Sequence, residues 1–246
     1  MRTLRLALLL LLAAALLALV AWRLAIRWHP SERTYPLQGI DVSHHQGAID
    51  WTALPAQGVD FAYLKASEGG DHRDRRFHAN RRGAAAAGIP HGAYHFFTLC
   101  RGGAAQAANF LAAISADPTL LPPAVDLEFG GNCAARPDRA ALLRELAAFL
   151  APVEARTGRR AILYVTEEFE AAYRISEASD RPLWLRRLLR RPAYGTRPWR
   201  IWQASSFRAL RGIDGRVDWN VVDGACGLAA LAAPCPPASS GGHSAS

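Results

Sequence analysis

The sequence predicts an α/β barrel on three observations: eight short apolar runs, helical stretches in the earlier gaps, and later gaps too short or too rich in Gly and Pro for full helices. Strands are expected, in order, at Gly39 to Ser43, Phe61 to Ser67, His91 to Phe97, Ala124 to Glu128, Ala161 to Val165, Leu183 to Leu185, Arg200 to Ala204 and Val217 to Asn220. Helices are expected at Asp74 to Ala87, Ala104 to Ile114 and Asp138 to Arg156, with a short one after Thr166, which is placed to cap it. This alternation favours βαβ units around a parallel sheet. A TIM-like barrel that loses its helices near the end fits best, and an open doubly wound sheet is the second choice.

Composition bounds the rest. Of the 246 residues, half are apolar and 20% are charged, which excludes a disordered chain. The two ends read differently from the middle and leave about 190 residues for one domain. The net charge of +8 comes almost wholly from Arg, Lys65 being the one lysine, and reads as coding bias rather than a polyanion-binding surface. The densest basic run, Arg186, Arg187, Arg190 and Arg191, has Leu188 and Leu189 in its middle instead of stacking aromatics. It reads as a solvated helix face, and nucleic acid is not an expected partner.

From Leu6 to Trp22 no residue is charged or strongly polar, with Arg2 and Arg5 before the stretch and Arg23 and Arg27 after it. Leu19 occupies a position where signal cleavage before Trp22 would want a small residue, and Trp22 and Trp28 read as interfacial anchors. Residues 1–28 are therefore expected to form an uncleaved signal anchor, a single pass through a bacterial inner membrane with the domain in the periplasm; cleavage would give a secreted protein. Residues 29–38, with Pro30, Ser31, Glu32 and Pro36, read as a linker, 39–235 as the barrel, and 236–246 as a disordered tail rich in Pro, Ser and Gly. Cys100, Cys133, Cys226 and Cys235, an even number in an exported chain, are expected to form two disulfides.

The chemistry lies in the acids. Asp126 and Glu128, at i and i+2 of the fourth strand, share one face, with Val125 and Leu127 on the other. Like charges held close raise the pKa of one partner, so one carboxyl stays protonated as an acid while the other ionises, the division of labour that glycosidic cleavage requires. A lone pair of this kind more often caps a helix or faces solvent. Asp41 in the first strand and Asp218 in the last change that balance, because closure makes those strands neighbours and converges all four carboxylates at the C-terminal mouth.

These residues sit in segments that together resemble the family 25 glycoside hydrolases, the Chalaropsis-type lysozymes. The segments are Gly39-Ile-Asp-Val-Ser-His-His-Gln-Gly-Ala-Ile-Asp-Trp51, Phe61-Ala-Tyr-Leu-Lys-Ala-Ser-Glu-Gly69, Ala87-Gly-Ile-Pro-His-Gly-Ala-Tyr-His-Phe96, Leu121-Pro-Pro-Ala-Val-Asp-Leu-Glu128, Ile201-Trp-Gln203 and Val217-Asp-Trp-Asn220. Any one is weak; six in order are specific. The resemblance implies five β/α units followed by three mostly helix-free strands, and hydrolysis of the β-1,4 bond after N-acetylmuramic acid in peptidoglycan. It implies Glu128 as general acid, Asp126 as its partner, orienting the substrate acetamido group or activating water, and Asp41 and Asp218 as the remaining acids. Substrate assistance is the favoured route for Asp126.

Tyr94, Tyr164 and Trp184 sit where they line the mouth and stack on sugars or, equally, pack the core, and Gln203 is placed to hydrogen-bond a hydroxyl or acetamide. Glu68, three residues beyond Lys65, is expected to form a structural pair or to cap a helix rather than to do chemistry. The chain departs from the family pattern at Ala204, where a Tyr is common, at Arg186, where an Ala is common, and at His45, where an aromatic is common. His44 and His45, read as adjacent strand residues, face opposite ways and do not share a metal; neither metal nor cofactor is expected. Peptidoglycan strands and the membrane are the expected partners of a monomer. A tethered peptidoglycan-binding module with little catalysis is the alternative, and another glycan such as chitin is a third. In a barrel, Cys100 and Cys133 follow neighbouring strands at the mouth and are expected to pair, leaving Cys226 with Cys235.

Overall fold

Period-two alternation sorts the side chains of each strand between the inside of a closed sheet and the helices around it. The computed structural model describes residues 2–114, 121–224, 227, 228 and 231. Its elements are α1 (Arg2–Ala25), β1 (Gln38–Val42), β2 (Phe61–Glu68), β3 (His72–Arg73), α2 (Phe77–Ala86), β4 (His91–Phe96), α3 (Gly103–Ile114), β5 (Ala124–Leu127), α4 (Arg139–Thr157), β6 (Ile162–Thr166), α5 (Glu167–Tyr173), α6 (Ile175–Ala178), β7 (Leu183–Arg186), β8 (Ile201–Arg208) and β9 (Val217–Val222). The strand order is β1-β9-β8-β7-β6-β5-β4-β2, and β1 also pairs with β2, so the sheet closes and the open-sheet alternative falls. The two-residue β3 hangs on β2 as a hairpin partner.

The last strand departs from the parallel arrangement expected: β9 runs antiparallel to both β8 and β1. Residues 209–216 are enough for a hairpin, whereas a parallel return needs a crossover of about a dozen residues or more.

Inside the barrel, Phe61, Tyr63, Ile162, Tyr164, Trp184 and Ile201 form one buried cluster. Their alternates, among them Ile40, Leu64, Val125, Leu163 and Leu185, join the larger cluster that the helices cover. Gly39 and Gly92 make the interior layer possible, since a Cβ at either would come within 2.6 Å of a ring carbon of Phe61 or of Tyr63. At Gly103, the start of α3, a Cβ would lie 1.8 Å from the Glu145 carbonyl oxygen, so only Gly lets α3 approach α4 this closely.

Local signals explain the helix ends. Asp138 caps α4 by accepting from Ala141 N at 2.7 Å, and Gly158 ends it in the left-handed region. Thr166 stands at the start of α5, but its hydroxyl makes no capping bond; the acids Glu167, Glu168 and Glu170 in the first turn complement the helix dipole instead. The arginine run is not a helix face, because β7 ends at Arg186 and the chain then turns through Leu189, at φ 64°. Arg186 turns inward, while Arg190 and Arg191 are exposed.

Where β8 and β9 lack covering helices, the segment after α1 takes their place. Trp28 meets Trp202, Tyr35 meets Trp199 and Trp202, and His29 meets Trp219, with ring centroids 5.8–6.5 Å apart. Gln38 Nε2 donates to the Pro30 and Tyr35 carbonyls, both at 3.0 Å. Ala209 N donates to the Ile26 carbonyl at 3.0 Å, and the Arg208 guanidinium donates to that of Arg27. β8 runs five residues beyond Gln203, so these last two contacts lie toward the C-terminal, mouth side of the barrel.

Cys100 and Cys133 are bonded, with Cα atoms 6.2 Å apart, joining the loops after β4 and β5. Cys226 and Cys235 lie outside the described residues. The 33-residue separation is worth about 3 to 4 kcal/mol in the loop-entropy account. Cys100→Ser/Cys133→Ser is therefore expected to unfold at markedly lower denaturant, with an m-value no smaller than the parent's because the uncross-linked denatured chain expands; equal midpoints for the variant and the oxidised parent would refute this.

Candidate active site

Three strands deliver four carboxylates to one groove at the mouth of the barrel. Asp41 of β1 and Asp218 of β9 are direct cross-strand partners. Asp126 lies in β5, level with Phe96 of β4 and Tyr164 of β6, and Glu128 follows one residue beyond the end of β5. The groove has two lobes. The first, of about 330 Å³, is lined by Tyr94, Tyr164, Glu168, Trp184, Arg186 and Gln203 together with the four acids. The second, of about 360 Å³, shares the acids and Tyr94 and adds Ser43, His45, Gln46, Lys65, Glu68 and Phe96. All eight expected groove residues thus lie together.

Beneath the acids a hydrogen-bonded belt fixes the floor. Tyr164 Oη donates to Gln203 Oε1 at 3.0 Å, and Gln203 Nε2 donates to Asp41 Oδ2 at 3.0 Å. Asn220 Nδ2 donates to the same oxygen at 2.7 Å, and Trp184 Nε1 donates to Asn220 Oδ1 at 2.9 Å. Tyr164 and Trp184 also meet edge to face at 5.3 Å, and Trp184 lies 5.0 Å from Tyr63, so these two of the three expected stacking residues are at once core and floor. The polar groups of Gln203 are engaged within the belt. Asn220 escaped the sequence reading, although it stands two residues after Asp218 and so on the same face.

Electrostatics follow from burial. Burial pushes Asp126 well above the ordinary carboxylate range, and the neighbouring charges of Glu128, Asp41 and Asp218 push the same way. Asp218 is raised well above that range too, by burial and then by Asp41. Glu128 is raised to about 7, chiefly by burial, with Arg186 opposing. Burial also raises Asp41, but Asn220, Gln203 and Arg186 all favour its ionised form. A cluster of this kind retains protons that isolated carboxyls lose by neutral pH. Asp126 Oδ1 is buried and accepts no hydrogen bond among the described residues.

The loop bearing Glu128 is held by Asn132. Its Nδ2 donates to the Glu128 and Phe97 carbonyls, both at 2.9 Å, and its Oδ1 accepts from Leu99 N and Cys133 N. In the second lobe Lys65 Nζ donates to Glu68 Oε2 at 2.7 Å, the pair expected; a bulge between Lys65 and Ser67 in the pairing of β2 with β4 accompanies the approach of these i, i+3 residues. Ala204 belongs to the helix-side cluster and faces away from the groove.

The expected strand geometry of His44 and His45 is overturned. Residues His44–Gln46 form a 3-10 turn capped by Ser43, and the two rings lie 4.1 Å apart on one side. Asp74 Oδ2 holds His44, accepting from its amide at 2.8 Å with ring Nδ1 at 2.9 Å.

A family model described as glycosyl hydrolases family 25 matches residues 40–213. Lysozyme M1 of Streptomyces globisporus is 35% identical over 223 residues, covering 82% of this chain and 76% of its own. The lysozyme of Streptomyces coelicolor is a structural neighbour at TM-score 0.69 and 34% identity, covering 80% of this chain and 96% of that one. A family 25 glycosyl hydrolase from Bacillus anthracis superposes at TM-score 0.72 and 33% identity, covering 80% and 92%.

Proposed function

The chain belongs to glycosyl hydrolase family 25 and is a peptidoglycan hydrolase of the lysozyme type, and we propose that it cleaves the β-1,4 bond from N-acetylmuramic acid to N-acetylglucosamine with Glu128 as general acid. The observation that carries this is the pairing of Glu128, holding its proton up to about pH 7, with Asp126 on the same groove wall. A protonated carboxyl beside the scissile bond donates to the leaving oxygen as the ring gains oxocarbenium character. The unpartnered Asp126 Oδ1 is the acceptor for an acetamido N–H, which aims the acetamido oxygen at the anomeric carbon. Asp41, held by two amide donors, is the ionised member that stabilises developing positive charge, and Asp218 keeps the cluster protonated beside it.

Peptidoglycan lies outside the cytoplasm, so the barrel works there. α1, at 24 residues, is long and apolar enough to cross a bilayer. We read residues 1–28 as a signal anchor in the inner membrane, 39–235 as the periplasmic catalytic unit and 236–246 as a tail. We read the enzyme as a monomer. Mass spectrometry of the products from purified peptidoglycan tests the reaction: muropeptides ending in reducing N-acetylmuramic acid are expected, and N-acetylglucosamine ends, or glycan binding without release, would overturn it.

A further inference from the structure

We propose that Arg186 is a specificity-determining residue that binds a carboxylate carried by the substrate in the first lobe of the groove. The inference rests on the muramidase reading and deepens it. Arg186 ends β7, level with Gln203 of β8 and Thr166 of β6, and two residues beyond Trp184. Laterally paired strand residues share a face, as do residues at i and i+2, so Arg186 projects inward with Gln203 and Trp184, one layer nearer the mouth. It lines the first lobe and is half-buried there.

Two cations face the groove, and they differ. Lys65, in the second lobe, is neutralised by Glu68 at 2.7 Å. Arg186, in the first, forms no ion pair among the described residues, although Asp41, Glu128, Glu168 and Asp218 line the same lobe. Its influence reaches three of these at longer range, favouring the ionised forms of Asp41, Glu128 and Asp218. Its backbone is fixed independently, Arg186 N donating to Tyr194 Oη at 2.8 Å and Tyr194 Oη donating to the Arg186 carbonyl at 2.9 Å. The guanidinium is thus a rooted, unspent fork, which suits bidentate recognition of a carboxylate.

N-Acetylmuramic acid differs from N-acetylglucosamine by a lactyl ether ending in a carboxyl group. In peptide-free strands that group is a free carboxylate. In intact wall it is an amide, and the nearest carboxylates belong to the stem peptide. Both sources offer the same chemistry to Arg186, and neutral chitin-type glycans offer none.

The experiment measures kcat and KM of the full chain and of Arg186→Met, which keeps the buried stem and removes the charge. The substrates are peptide-free glycan strands, the same strands with lactyl carboxyls converted to methylamides, and intact peptidoglycan. The parent is expected to prefer free carboxylates to methylamides about 10- to 100-fold in kcat/KM, mainly through KM, and Arg186→Met to reduce that ratio to about one. If the preference lost is for intact peptidoglycan over methylamide strands, the carboxylate comes from the stem peptide. Equal ratios in parent and variant across all three substrates overturn the assignment. A parent that cleaves none of them refutes the muramidase reading, and this inference falls with it. A second readout separates charge from packing: loss of the cation moves the alkaline limb of the pH profile upward on every substrate, a shift that loss of packing alone does not produce.

Discussion

Replacing Glu128 by Gln is expected to lower turnover by about two to four orders of magnitude with the barrel intact. The amide keeps the shape of the side chain and removes the transferable proton. The pH dependence has a definite sign. With Glu128 raised to about 7, the acid form prevails below that pH, so parental kcat/KM declines as pH rises through about 7. The same shift makes Glu128 a cost to the fold. A carboxyl with a raised native pKa destabilises once its unfolded counterpart ionises; the penalty is absent below about pH 4, grows to about pH 7 and is then constant, on the order of 3 kcal/mol for a rise from 4.5 to about 7. Glu128→Gln is therefore expected to melt several degrees higher than the parent at pH 8 and equally at pH 4. Near-parental turnover in this variant would remove Glu128 from the chemistry, and a lower melting temperature at pH 8 would show that its carboxylate is not strained.

The second large effect is expected at Asp126. Asp126→Asn should lose about two to three orders of magnitude in kcat while glycan still binds, because an amide can neither give up a proton nor carry the negative charge that the acetamido N–H calls for as positive charge develops on the sugar. Binding can be followed with the Glu128→Gln background, in which cleavage does not deplete the ligand. Poor binding with parental turnover would assign Asp126 to affinity instead. The buried, unpartnered Oδ1 is the reason to expect the kinetic outcome, since a buried acceptor left unsatisfied by the protein is satisfied by what enters the groove.

Much of this was legible in the sequence because alternation is a strong constraint. Asp41, Asp126 and Asp218 each sit between apolar neighbours, which fixes the face of each, and closure of the sheet brings the faces together. The residues that were missed fail for identifiable reasons. Arg186 was read with the arginines that follow it, and a charge run gives no sign that its first member still belongs to a strand. His44 and His45 were read as a continuation of β1, while Ser43 and Gln46 form a capping box that turns the chain. The direction of β9 is set by the length of its connection, and the apolar pattern of a strand carries no direction. Residues 29–38 are polar enough to read as a linker, and only the absence of helices over β8 and β9 explains why Tyr35, and Trp28 just before them, have a surface to cover.

That covering segment also fixes the reach of the enzyme. A flexible tether of n residues lets a domain wander by roughly 5–6 Å times the square root of n, but here α1 ends at Ala25 and the barrel takes hold at the Ile26 carbonyl. There is no slack between them. With α1 in a bilayer, as proposed, the barrel travels only where its helix diffuses, sweeping a plane rather than a volume. Because the contact with Ile26 and Arg27 is made on the mouth side of β8, the groove opens toward the end of the barrel from which the helix departs. The glycan within range is then the layer nearest the membrane, and strands deeper in the wall pass out of reach as it thickens.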